Sequence, residues 1–257
     1  MKTAFAIGAH PDDIEFFMAG TLLLLRDAGY SIHYMNLADG CCGSTEHGRQ
    51  VTAAIRREEG KRAAASVGAT FHESLCHDLE IFYEPKTLAR LASVIRSVAP
   101  DIILTHPPSD YMEDHSNTCR LVVSAAFARG MPNFVVDPPR RTTGHKVTIY
   151  HAQPFWNCDQ LRRRVEPDIF VDVSEVEEQK VAMLAHHQSQ KKWLDESQGH
   201  DSYLTTLRQL DEEVGRMSGL FRYAEGWRRH LHLGFCGEHD DPLRESLTSR
   251  VLPAGGP

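Results

Sequence analysis

Apolar positions in the first half of the chain switch repeatedly between a continuous run and a helical period. Ala4, Phe5, Ala6, Ile7 and Gly8 form the unbroken run of a buried strand, and Ile14, Phe17, Met18, Leu22 and Leu25 then recur at the spacing of one helix. Gly29 closes that helix ahead of a second strand over residues 31–37, and Gly68 closes a helix that holds Ile55, Arg56 and Glu59. Leu88, Leu91, Ala92, Ile95 and Val98 give a further helix one apolar face, and Pro100 stops it before a strand over residues 101–105. Strand and helix in alternation predict a parallel sheet with crossover helices.

The second half is less regular. Strands are expected over residues 147–150 and 168–171. Ser174 and Glu177, three residues apart, match a capping box at the start of the next helix. Residues 205–217 are polar enough for a surface helix, and the chain is expected to end in a flexible tail at about 250–257. No internal repeat, low-complexity linker or composition shift divides the chain, so residues 1–257 are expected to form a single domain.

Composition narrows the partners. A net charge of -7, from 28 basic and 35 acidic side chains, speaks against nucleic acid or an anionic membrane, since either requires a basic face. No stretch reaches the roughly 18 apolar residues of a membrane span, and Met1, Lys2 and Thr3 lead straight into a strand, so a cytoplasmic protein is expected. The six cysteines show no CxxC spacing, which points to reduced thiols rather than a disulfide framework or a thiolate zinc site, with Cys41 and Cys42 packed in a loop.

Chemistry is concentrated where strands end. Ala9-His10-Pro11-Asp12-Asp13-Ile14-Glu15 follows the first strand and sets an imidazole beside three carboxylates. One Asp there would be explained as a helix cap. Two adjacent Asp, a Glu and a His exceed what capping needs, because the mutual repulsion of the carboxylates calls for a cation nearby. After the strand that ends at Thr105 comes a second cluster, His106-Pro107-Pro108-Ser109-Asp110-Tyr111-Met112-Glu113-Asp114-His115. Ligands of open α/β sheets sit beyond the carboxyl ends of the strands, so the two clusters are expected to face one another. His10, Asp13 and His115 can supply the three nitrogen and oxygen ligands of a catalytic zinc site that keeps one position open.

The opening motif and the Asp-Tyr-x-x-Asp-His segment resemble the LmbE-like, or PIG-L, family of metal-dependent N-deacetylases. Ala38-Asp39-Gly40, Arg56-x-x-Glu59, Lys180 with His187-Gln188-Ser189-Gln190, and Tyr223-Ala224-Glu225-Gly226-Trp227 are similar to family segments in family order, so the resemblance runs from Ala9 to about Trp227. It implies a three-layer Rossmann-like α/β fold with a mostly parallel sheet and helices on both faces. It also implies zinc as cofactor, held by His10, Asp13 and His115, with iron(II) suited to the same donors. Asp12 matches the general base. Asp114 matches a carboxylate that orients an imidazole, against a plain reading as a cap for the helix near Ser116. Arg56 matches a substrate contact, against a plain reading as a surface salt bridge to Glu59. Glu15 would brace the turn through backbone amides or an arginine. The implied substrate is a small N-acylated, most plausibly N-acetylated, amino sugar or sugar conjugate such as an N-acetylglucosamine derivative. A homo-oligomer is left open.

One departure stands out: Met112-Glu113 occupies the place of the family's His-Pro, whose histidine donates to the oxyanion. A thioether cannot donate. His187, His186, Tyr111 and Arg56 are the candidate replacements, with His187 preferred, and Tyr111 and Met112 are expected at the substrate. Two other functions remain open: a metal phosphoesterase, for which no phosphate cradle is visible, and a metal-retaining sugar- or metabolite-binding protein with little turnover.

Overall fold

The computed structural model describes residues 1–198 and 202–254. Eight strands form one sheet: β1 (Thr3–Gly8), β2 (Ser31–Asn36), β3 (Thr70–His72), β4 (Ile102–Thr105), β5 (Thr148–Ala152), β6 (Ile169–Asp172), β7 (Ala224–Arg229) and β8 (Val251–Pro253), in the order β3-β2-β1-β4-β5-β7-β6-β8. The first five strands pair in parallel, while β7 runs antiparallel to both β5 and β6, and β8 antiparallel to β6. The helices are α1 (Asp13–Phe17), α2 (Ala19–Asp27), α3 (Arg49–Ser66), α4 (Pro85–Val98), α5 (Glu113–Phe127), α6 (Glu177–Leu184), α7 (Gln188–Gln198), α8 (Ser202–Ser218) and α9 (Pro242–Leu247).

Strand β1 shows how the layers arise. Its alternate residues Ala4 and Ala6 pack with Leu22 and Leu25 of α2 and Ala63 of α3, while Phe5 and Ile7 point the other way onto Leu91 and Ile95 of α4 and Leu121 of α5. Both faces are therefore covered, as a parallel sheet requires, and the fold is the three-layer α/β arrangement. From β1 the chain winds outward to β2 and β3 on one side and returns to β4 on the other. The gap beyond the carboxyl ends of β1 and β4 is thus the switch point where ligands of such sheets bind. Among the described residues no helix is long and apolar enough to cross a membrane, and all six cysteines are free.

Several local expectations change. The helix expected from Ile14 to Leu25 is two helices, broken at Met18 (φ -139°). The capping box does not form: α6 starts after Val176, and the Ser174 hydroxyl bridges instead to the backbone of Tyr223. Helix α8 is amphipathic rather than polar throughout: Tyr203, Leu207, Leu210 and Val214 are buried along one side, while Thr205, Gln209, Glu212 and Arg216 are exposed. Strand β7 had no apolar signature. Its Glu225 is buried because the Gly20 and Thr21 amides at the start of α2 and the Lys180 ammonium all meet the carboxylate at 2.8 Å. The expected tail is ordered through β8, which pairs with β6 as an edge strand, while residues 255–257 lie outside the described residues.

Candidate active site

Strand β1 ends at Gly8 and its continuation turns sharply, with Asp12 at φ 114° and no side-chain hydrogen bond to cap α1. Capping therefore does not explain Asp12, and a non-glycine residue held in this region is the kind of strain that accumulates at functional sites. Asp13 is the residue that ties the turn down: its Oδ2 accepts from the amides of Ala9 (3.1 Å) and His10 (2.7 Å). Strand β4 and the start of α5 deliver the facing groups.

His10, Asp13 and His115 come together with ligand atoms that all lie within 4.8 Å of one another. His115 Nε2 is 3.4 Å from Asp13 Oδ1, and both its ring nitrogens are buried with no hydrogen bond among the described residues. An orphaned imidazole nitrogen aimed at a carboxylate and a second imidazole fits a divalent cation and little else. Each imidazole has a carboxylate behind it. His10 Nε2 is 2.9 Å from Asp114 Oδ2, which leaves Nδ1 to face Asp13, and His115 Nδ1 is 3.1 Å from Asp110 Oδ1. Backing carboxylates of this kind set the tautomer and basicity of metal-binding histidines. Asp114 also accepts from the Leu79 amide at 2.7 Å and caps nothing in α5.

Charge follows the same geometry. Burial works to raise the Asp13 carboxyl, but the imidazoles of His115 and His106 and the hydrogen bond from His10 hold it well below the ordinary carboxylate range. Burial opposes protonation of His115 and His10, yet Asp13 and Asp110 lift the first to about 10, and Asp114 and Asp13 lift the second to about 9. A cluster this proton-hungry carries a site for positive charge. Asp12 behaves differently: burial pushes its carboxyl up, against the pull of Arg56.

Asp12 is held from three sides. Tyr203 donates its hydroxyl proton to Oδ2 at 2.7 Å, Arg56 Nη2 lies 3.4 Å from the same oxygen, and His187 lies behind. Arg56 also donates to the Pro11 carbonyl. It is buried, so the surface salt bridge to Glu59 does not exist; Glu59 instead accepts from the amide (2.9 Å) and hydroxyl (2.6 Å) of Ser189. Loop residues Gly40 and Gly43 wrap the Arg56 side chain so closely that a Cβ on either would lie within 2.6 Å of it, and Gly40 adds a φ of 77°. Arg56 is therefore a fixed partner of Asp12 more than a rim contact.

His187 is fully buried, pairs with Glu15 Oε1 at 3.2 Å and does not line the cavity. It is not placed to donate to an oxyanion, and neither is His186, which is absent from the cavity wall. Glu15 is braced by this imidazole and by the Tyr34 hydroxyl at 3.1 Å, not by amides or an arginine. Tyr111 and Met112 do line the cavity, Tyr111 edge-on to His115 with ring centres 5.7 Å apart.

Sequence reasoning missed three residues. Asp110 stood inside the second cluster without a role. His106 stacks on His115 at 4.0 Å and lies 3.1 Å from Asp13. Tyr203, in a helix that looked superficial, gave no signal beyond a lone aromatic in a polar stretch. The cavity over these groups has a volume of about 770 Å³, and its wall continues over Phe155, Trp156 and the segment from Cys158 to Arg162.

The sequence profile of one family, PIG-L, described as GlcNAc-PI de-N-acetylase, matches residues 5–126. Diacetylchitobiose deacetylase of Thermococcus kodakarensis is 32% identical over 242 residues, 89% of this chain and 83% of that protein. The 4-oxalmesaconate hydratase of Pseudomonas putida is 28% identical over 71% of this chain and 72% of its own. Among solved structures, N,N'-diacetylchitobiose deacetylase from Pyrococcus horikoshii, complexed with its inhibitor MPG, superposes with a TM-score of 0.72 at 25% identity, over 90% of this chain and 85% of that one.

Proposed function

The chain belongs to the PIG-L family, and on that premise we propose that it is a zinc-dependent N-deacetylase acting on an N-acetylated amino sugar or sugar conjugate. The observation that carries the reading is the pairing of a cation-ready trio, His10, Asp13 and His115, with a neighbouring carboxylate, Asp12, that the trio does not use. What zinc supplies when bound there is Lewis acidity toward an acyl carbonyl and a lowered pKa for water. Iron(II) would suit the same donors.

The protein's own groups divide the remaining work. Asp12 takes the proton of the attacking water and returns it to the departing amine, a role that its raised carboxyl pKa suits. Tyr203 and Arg56 fix the direction of that carboxylate. Asp110 and Asp114 hold the two imidazoles in register. Met112 offers no donor to the developing oxyanion, and of the candidates Tyr111 alone brings an uncommitted polar group to the cavity wall.

A hydratase is the second reading, favoured by the 28% identical relative. A carboxylate substrate, such as that relative's name denotes, would need free cations. Among the described residues of the cavity wall, Asp12, Asp13, Asp78 and Asp159 face the guanidinium groups of Arg56 and Arg162 and no lysine, and Arg56 is committed to Asp12 and Pro11. That balance suits a neutral amide and a cationic amine product. The phosphoesterase alternative would need two metals. Of the three other groupings among the described residues, the trio of His106, Asp110 and His115 shares His115 with the first. The two that include Cys41, with Asp39 and His77 or with Cys42 and Asp78, draw on a thiol, a soft donor that does not suit the oxygen-seeking metals of phosphate chemistry.

Zinc-loaded protein incubated with N-acetylated sugars is expected to release free amine, detected with fluorescamine. Chelation should abolish release and one zinc per chain should restore it. Asp12→Ala should keep its metal and lose about 10²–10⁴ in rate; full activity in that variant would sink the assigned mechanism.

A further inference from the structure

The cavity extends well beyond the metal-binding trio, and an aromatic chain leads outward from it. Tyr111 packs edge-on to His115, Phe155 lies 6.1 Å from Tyr111, and Trp156 stands edge-to-face on Phe155 at 5.5 Å. Phe155 is itself fixed between Phe16 and Phe17 of α1, at 6.2 and 6.1 Å. The far member of the chain is the unusual one. Trp156 (φ 57°) and Asn157 (φ 54°) are consecutive non-glycine residues in the left-handed region, a conformation that side chains with a Cβ resist.

The turn that imposes this conformation is closed by the Asn157 amide, which donates to the Pro154 carbonyl at 2.9 Å. The two left-handed residues swing the indole out over the cavity, where it stays 49% exposed, while Asn157 is buried and takes hydrogen bonds from Val165 and Gln153. A large aromatic held in strained backbone with half its surface in water points to a ligand that covers it. The next residues supply polar edges. Gln160 lines the cavity with its carbonyl oxygen already taken by the Ser109 hydroxyl at 2.8 Å, so its amide protons are left to donate, and Arg162 lies beside it. An apolar plate bordered by donors matches a pyranose, which has an apolar face of C–H bonds and a rim of hydroxyls.

We propose that Trp156 is the platform of a second sugar-binding subsite, so that the substrate is an N-acetylated glycoside whose neighbouring pyranose ring stacks on the indole. This rests on the deacetylase reading for the identity of the first ring. The donors flanking the plate favour a second pyranose over an aryl or alkyl aglycone, which would leave them unpaired.

Two measurements separate the outcomes. Calorimetric titration of zinc-loaded Asp12→Ala protein, which binds without turnover, compares N-acetylglucosamine with N,N'-diacetylchitobiose and with p-nitrophenyl N-acetylglucosaminide. The disaccharide is expected to bind at least tenfold more tightly than the monosaccharide. Adding Trp156→Ala should cut that advantage about tenfold, and Trp156→Tyr should restore most of it. With the wild-type residue at position 12, Trp156→Ala should raise KM for the disaccharide about tenfold, with kcat reduced less. A disaccharide advantage that survives Trp156→Ala overturns the subsite, and an aryl glycoside gaining as much as the disaccharide overturns its assignment to a pyranose. Binding with the expected preference but no amine release from the wild type would overturn the deacetylase reading and leave the subsite standing.

Discussion

Two clusters of charge lie inside this protein, and they are balanced in different ways. Around Lys180, which is fully buried, Asp211 approaches at 2.6 and 2.8 Å and Glu225 at 2.8 Å, and Glu225 satisfies two amides of α2 as well. Cation and anions meet in the folded chain itself, and the ammonium is held above its ordinary pKa by its two carboxylates despite burial. Around Asp13 the imidazole of His10 is held by Asp114 at 2.9 Å, while both ring nitrogens of His115 are left without a hydrogen bond among the described residues. The first cluster carries its cation within the chain, with Glu177 beside it left without a hydrogen bond among the described residues, whereas the second offers the nitrogen and oxygen donors that suit a divalent cation. A saturated ion pair marks architecture, and an unsaturated one marks chemistry.

That contrast can be broken most forcefully at Asp13. Asp13→Asn keeps an acceptor for the Ala9 and His10 amides but removes the charge. Amine release should fall about a thousandfold or more, and bound metal, counted by plasma emission spectroscopy, should approach zero. The unfolding free energy in chelator should shift by less than about 1 kcal/mol, and a large shift would place Asp13 in the architectural class. Lys180→Met should do the reverse. Stranding Asp211, Glu225 and the nearby Glu177 is expected to cost about 3–5 kcal/mol in urea unfolding, while the folded fraction retains its metal. The smallest effect is expected at the contact that joins base to scaffold. Tyr203→Phe should lower kcat about tenfold with little change in KM or stability, since one hydrogen bond to a charged group is lost. Unchanged kcat would remove Tyr203 from the positioning of Asp12.

Much of the first half was legible because its signals are local. Apolar periods and terminal glycines located β1, β2, α4 and β4, and the motif after β1 carries both a ligand pair and the candidate base within four residues. The parts that escaped depend on contacts between distant segments. Tyr203 meets Asp12 across 191 positions, and nothing near it in the chain betrays that meeting. Glu225 could sit in a strand only because α2 aims two amides at it. Ser174 abandoned the helix it seemed to cap because the Tyr223 backbone, arriving with β7, competes for its hydroxyl. His187 matched a motif in type and order, but burial decides its reach, and burial is not written in a tetrapeptide.

Helix α8 carries Tyr203 near one end and Asp211 two turns on, about 12 Å along the axis at 1.5 Å per residue. One rod therefore touches Asp12 with its tip and is clamped by Lys180 farther along its shaft. The accuracy with which a phenol meets a carboxylate is inherited from a joint that substrate never sees. Insertion of a single residue between Tyr203 and Asp211 would turn the tip by about 100° and carry the phenol away from Asp12 while the clamp at Lys180 stayed closed.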